Sequence, residues 1–410
     1  MAERADATSR AATPPTRPPR LVLVGAAGFT NLGDDAILAA MLIELRAACL
    51  GAHFTVATGD PEALAIDPTL GGADVRMIPF DDTAIAAALA DADLLILGGG
   101  GFIYDYDARI SAHNFLHGDP SLFYPHFRAL VVAHALGVPS QAYGIGVGPL
   151  VTAAGRGLTR TILGLAGAIS VRDPLSLLEL RAAGLERADL TVTADPALGL
   201  PPVAPTGSPP KGRVVGFVAR GWLRQGEGWT TSGAARYERY LDWLAAGADH
   251  AVERWDATPL FLPLQRRYDD DRASAALIIA RMRHGTRARI AEGLAGYRDL
   301  QVALAGLDAL VSGRLHPLIL GCAAGVPPVG IALSPKVRAF LGGLELGELA
   351  LSPWIARDAD LRAALDRALS APAPLRAQLR DGLAAQRDAA ARNPQIAAAL
   401  LHGAAWRIGA

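Results

Sequence analysis

The chain has 410 residues, 51% of them hydrophobic and 19% charged, and a formal net charge of −1. That length is more than one hydrophobic core ordinarily fills, so two domains are expected, and the apolar fraction excludes a disordered chain. The near-neutral balance excludes a non-specific nucleic-acid binder, which would carry a basic excess.

Residues 1–20 lack an apolar run and are rich in Ala, Pro, Thr and Arg, so they read as a disordered tail and not as a secretory signal. Short Leu-rich or β-branched runs then alternate with Ala/Leu-rich helical stretches. Strands are expected at 21–25, 54–57, 94–97, 140–146, 168–171 and 190–193, with helices at 36–49, 82–90, 122–136, 157–165 and 174–183. Such spacing implies a parallel sheet covered on both faces. The Pro-rich stretch 200–213 breaks the pattern and is taken as a linker. The alternation restarts with strands expected at 214–219, 260–264, 300–302, 310–312 and 329–333, and helices near 237–255, 271–282 and 315–324. The expected fold is therefore α/β, with two Rossmann-like domains (21–199 and 214–357) facing across a cleft. A helical segment, 358–410, is placed to cross back over the first domain.

Two apolar stretches, 129–155 and 315–335, are long enough to span a bilayer, but Pro and Gly interrupt both. Cys49 and Cys322 are too few and too far apart for a disulfide framework. A soluble, cytoplasmic protein is expected, peripheral at most to the inner membrane face. Lys211 and Lys336 are the only lysines, and the other 37 basic residues are arginines. GC-rich coding and anion recognition by guanidinium forks both produce that skew.

Three glycine-containing segments follow strands in the first half, and a fourth segment ends a strand with an arginine. Gly25-Ala-Ala-Gly28-Phe-Thr-Asn31-Leu-Gly33-Asp34-Asp35 runs from the first strand into a helix, where backbone N–H groups and the helix N-terminus favour an anion. It is not GxGxxG, so a dinucleotide site is weakly supported. Asp34 and Asp35 fit either a helix cap or a proton donor beside an anion site. Gly98-Gly-Gly-Gly101 follows a buried strand and reads as a ligand loop, as does Tyr143-Gly-Ile-Gly146-Val-Gly148-Pro149. Ser170-Val-Arg172-Asp173 puts an arginine at a strand end, as either an anion ligand or a surface partner of Asp173. In the second half, Ser312-Gly-Arg314-Leu315-His316-Pro317 opens an apolar helix. Arg314 and His316 are the only basic side chains between Asp308 and Lys336, which marks an anion and proton-transfer pair. Ser334-Pro-Lys336 adds a lysine at another strand end. Residues 102–127 hold seven aromatics with His113, His117 and His126, readable as a sugar-stacking lid or as a loop with its own small core. Trp222, Trp229 and Trp243 either border an acceptor or pack. His113 and His117 have metal-like spacing, but no zinc signature surrounds them.

Together these segments resemble the polysaccharide pyruvyl transferase family. The resemblance rests on Asn31-Leu-Gly-Asp34-Asp35-Ala-Ile-Leu, Gly98–Gly101, Tyr143-Gly-Ile-Gly-Val-Gly-Pro149, Ser170-Val-Arg172-Asp173, Ala194-Asp195-Pro196, Arg314-Leu-His316, and Gly325-Val-Pro with Pro335-Lys336-Val. It covers about residues 21–345. It implies a GT-B fold and transfer of the enolpyruvyl unit of phosphoenolpyruvate onto two hydroxyls of a sugar, releasing phosphate. By the same resemblance, Arg172, Arg314 and His316 would hold the donor and Asp34 would be an acid/base. Gly99, Gly100, Leu315 and Lys336 are added on the donor side, and His316 is paired with Asp34 in catalysis. Asn31, Tyr104, Asp105, His113 and Trp222 are assigned to the acceptor side. The expected partners are phosphoenolpyruvate as co-substrate and a sugar, sugar-nucleotide or lipid-linked saccharide acceptor, with no cofactor, metal or nucleic acid. The competing readings are a GT-B glycosyltransferase using a nucleotide sugar, with Glu345 or Glu348 on the ribose, and a non-catalytic glycan- or anion-binding protein.

Overall fold

Every residue of β1 (Arg20–Val24) after Arg20 is an apolar, buried side chain, as a central parallel strand covered on both faces requires. The computed structural model describes residues 17–65, 67, 70–105, 124–205, 212–221, 231–265, 270–371 and 373–403. Around β1 lie β2 (His53–Thr58), β3 (Val75–Pro79), β4 (Leu94–Ile103), β5 (Ser140–Val147), β6 (Ala168–Val171) and β7 (Leu190–Val192). They form one parallel sheet in the order β3-β2-β1-β4-β5-β6-β7, with crossover helices between. The second sheet contains β8 (Val214–Val218), β9 (Thr258–Phe261), β10 (Arg289–Ile290), β11 (Ala309–Ser312), β12 (Pro328–Ile331) and β13 (Ala350–Leu351). It is also parallel, in the order β10-β9-β8-β11-β12-β13. The two-domain Rossmann-like expectation holds.

Three local expectations differ from the structure. Residues 300–302 lie in a helix, Tyr297–Ala305, and not in a strand. Tyr297, Leu300 and Leu304 recur at helical spacing on its buried face, and Asp299 accepts hydrogen bonds from the N–H groups of Ala295 and Gly296 to start it. β3 escaped notice because its sequence, VRMIP, is an edge strand with only one fully buried side chain. The four glycines 98–101 continue β4 and do not form a loop, with a register shift against β5 between Gly100 and Ile103.

One face of the first sheet shares a continuous apolar core with the second domain, and the other face has a separate core beneath the helices Asp82–Leu89 and Tyr124–Ala135. The long helix Leu32–Ala48 is central to the shared core. It packs on the 3-10 turn Pro196–Gly199, on the second-domain helices Tyr297–Ala305 and Leu315–Ala323, and on the C-terminal helix Arg392–Leu401.

The chain beyond β13 forms the helices Asp358–Ser370, Ala373–Ala390 and Arg392–Leu401, the last crossing back onto the first sheet. Asn393 at its start is fully buried. Its side-chain oxygen accepts from Ser170 Oγ (2.7 Å) and Thr193 Oγ1 (2.9 Å), its amide donates to Ala194 O (3.3 Å), and its backbone carbonyl accepts from Gln141 Nε2. Asn393→Ala removes three buried side-chain hydrogen bonds and leaves the Ser170 and Thr193 hydroxyls only the carbonyls of Ala142 and Val171, so we expect a loss of about 2–4 kcal/mol in unfolding free energy, measured by urea denaturation. A loss within experimental error would show that the C-terminal helix is not locked by this residue.

Candidate active site

The site is assembled from the carboxyl ends of strands in both sheets, where open α/β folds hold ligands. After β1 the chain turns through Thr30 in a left-handed conformation (φ 63°) and enters the helix Leu32–Ala48. Asn31 caps that helix, accepting from Gly33 N–H, while its amide donates to Asp34 Oδ2 (2.6 Å). The two adjacent carboxylates have different tasks. Asp35 is buried and accepts from Gly28 N–H (2.8 Å), fixing the preceding turn. Asp34 faces the second domain.

His316 comes from that domain, in the first turn of the helix Leu315–Ala323. Its Nδ1 lies 3.9 Å from Asp34 Oδ1, and its Nε2 lies 3.9 Å from Asp195 Oδ2. The ring is seated directly on Gly33, where a Cβ would fall 2.3 Å from Nδ1, so only glycine admits this approach. His316 Nε2 is buried and has no hydrogen-bond partner.

Arg172 ends β6 with a side chain 4% exposed, so the reading as a surface residue does not hold. Its guanidinium lies flat along β4 and β5: a Cβ on Gly101 or Gly146 would come within 2.6 Å of NH2. NH1 donates to Asp195 Oδ2 (2.9 Å), and Nε lies 3.6 Å from Asp173 Oδ2, which also caps the following helix. Asp195 thus stands between an arginine of the first domain and a histidine of the second.

Burial dominates the titration of the group, in opposite directions for acid and base. It pushes Asp34 up to about 7, reinforced by Asp35 and partly offset by Lys336, Asn31 and Arg172. It pushes His316 down to about 4, with Asp195 opposing and Arg172, Lys336 and Arg314 assisting. Lys336 is lowered to about 7 by burial and by the neighbouring charges of Arg220, Arg172 and Arg314, with Asp34 opposing.

A cleft of about 410 Å3 opens beside these groups, between the helix Pro174–Ala182 of the first domain and the start of the helix Pro335–Gly343 of the second. Its walls include Gly101, Tyr104, Gly146, Arg172, Ser334 and Lys336.

The sequence profile of polysaccharide pyruvyl transferases matches residues 31–335. The chain belongs to that family. No curated protein matches it closely enough to serve as a relative. Among solved structures, it is similar to a Listeria monocytogenes protein assigned as a UDP-N-acetylglucosamine 2-epimerase (14% identity, TM-score 0.60, covering 93% of this chain and 96% of that one). It is similar also to the UDP-GlcNAc 2-epimerase of Neisseria meningitidis, solved with UDP-GlcNAc (12%, TM-score 0.57, 94% and 100%). A third is the glycotransferase of kitacinnamycin (15%, TM-score 0.53, 94% and 100%). At such identities the likeness is one of fold, the GT-B arrangement of two facing domains.

Of the residues singled out in this family member's sequence, Asp34, Arg172, His316 and Lys336 converge, with Asn31 directly behind Asp34 and Tyr104 on the cleft wall. Several others make contacts of their own away from this group. Arg314 grips buried Asp271 with two hydrogen bonds, from Nε (2.9 Å) and NH2 (2.6 Å), and is not a wall of the cleft. Asp271 also accepts from the N–H of Gln265, whose side chain accepts from Thr30 Oγ1. The pair therefore braces the contact between domains. The Leu315 side chain is buried in the core. Gly99 faces Ile37 and Met41, and Gly100 faces Ile37 and Asp34, so these two serve close packing of the helix on β4. Asp105 is consumed by the loop that it holds, accepting from Val151 N–H and from both N–H and hydroxyl of Thr152. Phe102 and Phe127 belong to the core, with His126 stacked on Phe102, and Trp243 packs with its indole N–H on Arg357 O. Glu348 pairs with Arg367, and neither it nor exposed Glu345 lines the cleft. His113, His117, Trp222 and Trp229 lie outside the described residues. Sequence reasoning missed Asp271 and the role of Asp195; the latter was visible only as one member of an Ala-Asp-Pro triplet.

With a pKa near 4, His316 should be uncharged at neutral pH, which NMR titration of its ring carbons tests. Asp195 holds that value up, so Asp195→Asn should lower it further; an unchanged or higher value would remove Asp195 as its electrostatic partner.

Proposed function

We propose that this protein is a ketal-pyruvyl transferase that moves the enolpyruvyl group of phosphoenolpyruvate onto two hydroxyls of a sugar or glycan and releases phosphate. The observation that carries the reading is a carboxyl raised to about 7 beside an imidazole lowered to about 4, at 3.9 Å between the two domains, with Arg172 and Lys336 as charged neighbours of both and on the wall of the adjoining cleft. Environments that push two titratable groups apart assign the acid and the base. Asp34 is the acid and His316 the base.

The chemistry then balances. Protonated Asp34 delivers its proton to the methylene carbon of the donor, which becomes the methyl group and leaves positive character at C2. A sugar hydroxyl adds to C2 while neutral His316 accepts its proton. The second hydroxyl displaces the phosphate from C2, closing the ketal ring. Of the two hydroxyl protons, one restores Asp34 and the other leaves with phosphate. Asp195 holds Arg172 and faces Nε2 of His316, so it is a positioning residue for both. Arg172, flat against β4 and β5, presents a fixed cation to a donor that carries a carboxylate and a phosphoryl group. Membership in the pyruvyl transferase family supports the same reaction class.

The direct test is incubation with phosphoenolpyruvate and a panel of sugars, sugar nucleotides and lipid-linked saccharides, following phosphate release and an acid-labile product. No turnover and no donor binding by calorimetry would overturn the reading. The titrations also set a pH profile. His316 must be neutral, so kcat/KM should rise through about pH 4. Asp34 must be protonated and Lys336 charged, so it should fall through about pH 7. Asp34→Asn should lower kcat by about 10²–10⁴-fold while donor affinity changes little. A flat profile, or full activity in the variant, would remove Asp34 from the acid role.

A further inference from the structure

Gln265, in the segment after β9, touches three successive residues of the turn that leads from β1 into the helix Leu32–Ala48. Its side-chain oxygen accepts from Thr30 Oγ1 (2.7 Å), its amide donates to Phe29 O (3.5 Å), and its backbone pairs with Asn31 in an isolated antiparallel bridge. The turn needs such a hold. Gly28 and Thr30 both have positive φ, 79° and 63°, and only the first is a glycine. A β-branched residue is disfavoured in that region, because its Cβ crowds the backbone, and it stays there only where neighbours enforce it. Asp35 fixes Gly28 from within the first domain, accepting from its N–H (2.8 Å). Thr30 is held from the second domain, by Gln265. That residue is itself anchored: buried Asp271 accepts from its N–H (2.9 Å) and from Nε and NH2 of Arg314. Arg314 is the N-cap residue of the helix that carries His316. A chain of polar contacts, Arg314–Asp271–Gln265–Thr30, therefore runs from the start of the His316 helix to the start of the Asp34 helix.

We infer that Gln265 is a positioning residue: by holding Thr30 in its left-handed conformation, it sets the first helical turn, with Gly33 and Asp34, against His316. Released from Gln265, Thr30 relaxes to negative φ and Asn31 turns out of its cap. The cap then no longer accepts from the N–H of Gly33, and Asp34 loses the Asn31 amide that orders its carboxyl. Gly33 is the seat of the His316 ring, so the same movement lets water reach a ring that is otherwise buried. Arg172 ends β6 and Lys336 lies in another helix, so donor affinity should not follow the turn. The inference rests on the proposed reaction only in its reading of turnover; a titration of His316 needs no substrate.

The experiment uses the full-length protein, with Gln265→Ala and Thr30→Val removing the two ends of the contact. In each variant, NMR titration should show the His316 ring rising from its pKa of about 4 by about one unit or more, as water reaches it. Turnover should show kcat lower by about 10–10²-fold and KM for phosphoenolpyruvate within about twofold of the native protein. Thr30→Ser, which keeps the hydroxyl, should keep both readings at their native values. Combining Gln265→Ala with Thr30→Val should lose no more than either alone, because the two remove one contact. Should Gln265→Ala fail to fold, Thr30→Val decides, since it exchanges one hydroxyl for a methyl group on an exposed residue. An unchanged His316 titration overturns the inference, as does an additive loss in the double variant or a fall in kcat matched by a rise in KM. If the native protein turns over phosphoenolpyruvate and the substitutions are silent, this inference falls and the transferase reading stands. If His316 responds as expected but the native protein has no turnover, Gln265 still positions the turn and the transferase reading falls.

Discussion

The site depends on burying a guanidinium between two strands. Arg172 cannot lie along β4 and β5 unless those strands lack side chains where it passes, and Gly101 and Gly146 provide that bare surface. The cost of desolvating the charge is offset by Asp195 at 2.9 Å and Asp173 at 3.6 Å. Once Arg172 is fixed, the rest of the site is built outward from it. Asp195 is held by Arg172 and faces Nε2 of His316. His316 in turn needs Gly33 bare in order to approach Asp34. Glycines in this molecule therefore act as seats for side chains that carry charge or protons, more than as flexible hinges.

The helix Leu32–Ala48 converts that local arrangement into an inter-domain one. Its first turn holds Asn31, Gly33, Asp34 and Asp35, and its body is packed by elements of both domains and by the returning C-terminal helix. Thr30 and Asn31, just before it, reach Gln265 of the second domain, which Asp271 and Arg314 brace from behind. The distance between Asp34 and His316 is thus governed by packing across the whole shared core. A loop-mounted pair would not be held so firmly at that separation.

Much of this was legible in the sequence, and the misses have physical causes. Alternating apolar runs and Ala-rich helices located the central strands because those strands are buried on both faces and read as uninterrupted apolar segments. The edge strand β3 and the short strands β10 and β13 carry no such signal. The Leu-Gln-Val segment at 300–302 fits either period, and only the burial of Tyr297, Leu300 and Leu304 decides for the helix. Residue type singled out Asp34, Arg172, His316 and Lys336, which the fold brings near one another. It did not show that Arg314, whose chemistry is identical to that of Arg172, is paired with a buried carboxylate and lies off the cleft wall. What separates them is a partner 43 residues away in sequence, Asp271, which no local pattern announces. Nor does a local pattern show that the acceptors of Asp105 are filled by a loop 46 and 47 residues distant.

The scarcity of lysine acquires a meaning at one position. In a chain whose other basic residues are nearly all arginine, Lys336 stands in the cleft at the start of a helix. An arginine there would keep its charge at any accessible pH and would spread its donors over a plane about as wide as the anion it meets. An ammonium is compact and loses its proton when burial and neighbouring cations lower its pKa to about 7. The lysine can therefore shed its proton to relieve repulsion from Arg220, Arg172 and Arg314, while the Asp34 carboxylate, which opposes that loss, is itself raised to about 7 by burial. Any anion held beside Lys336 would favour the charged ammonium, so anion binding and protonation at this position would be linked: the tighter the anion, the higher the lysine's pKa.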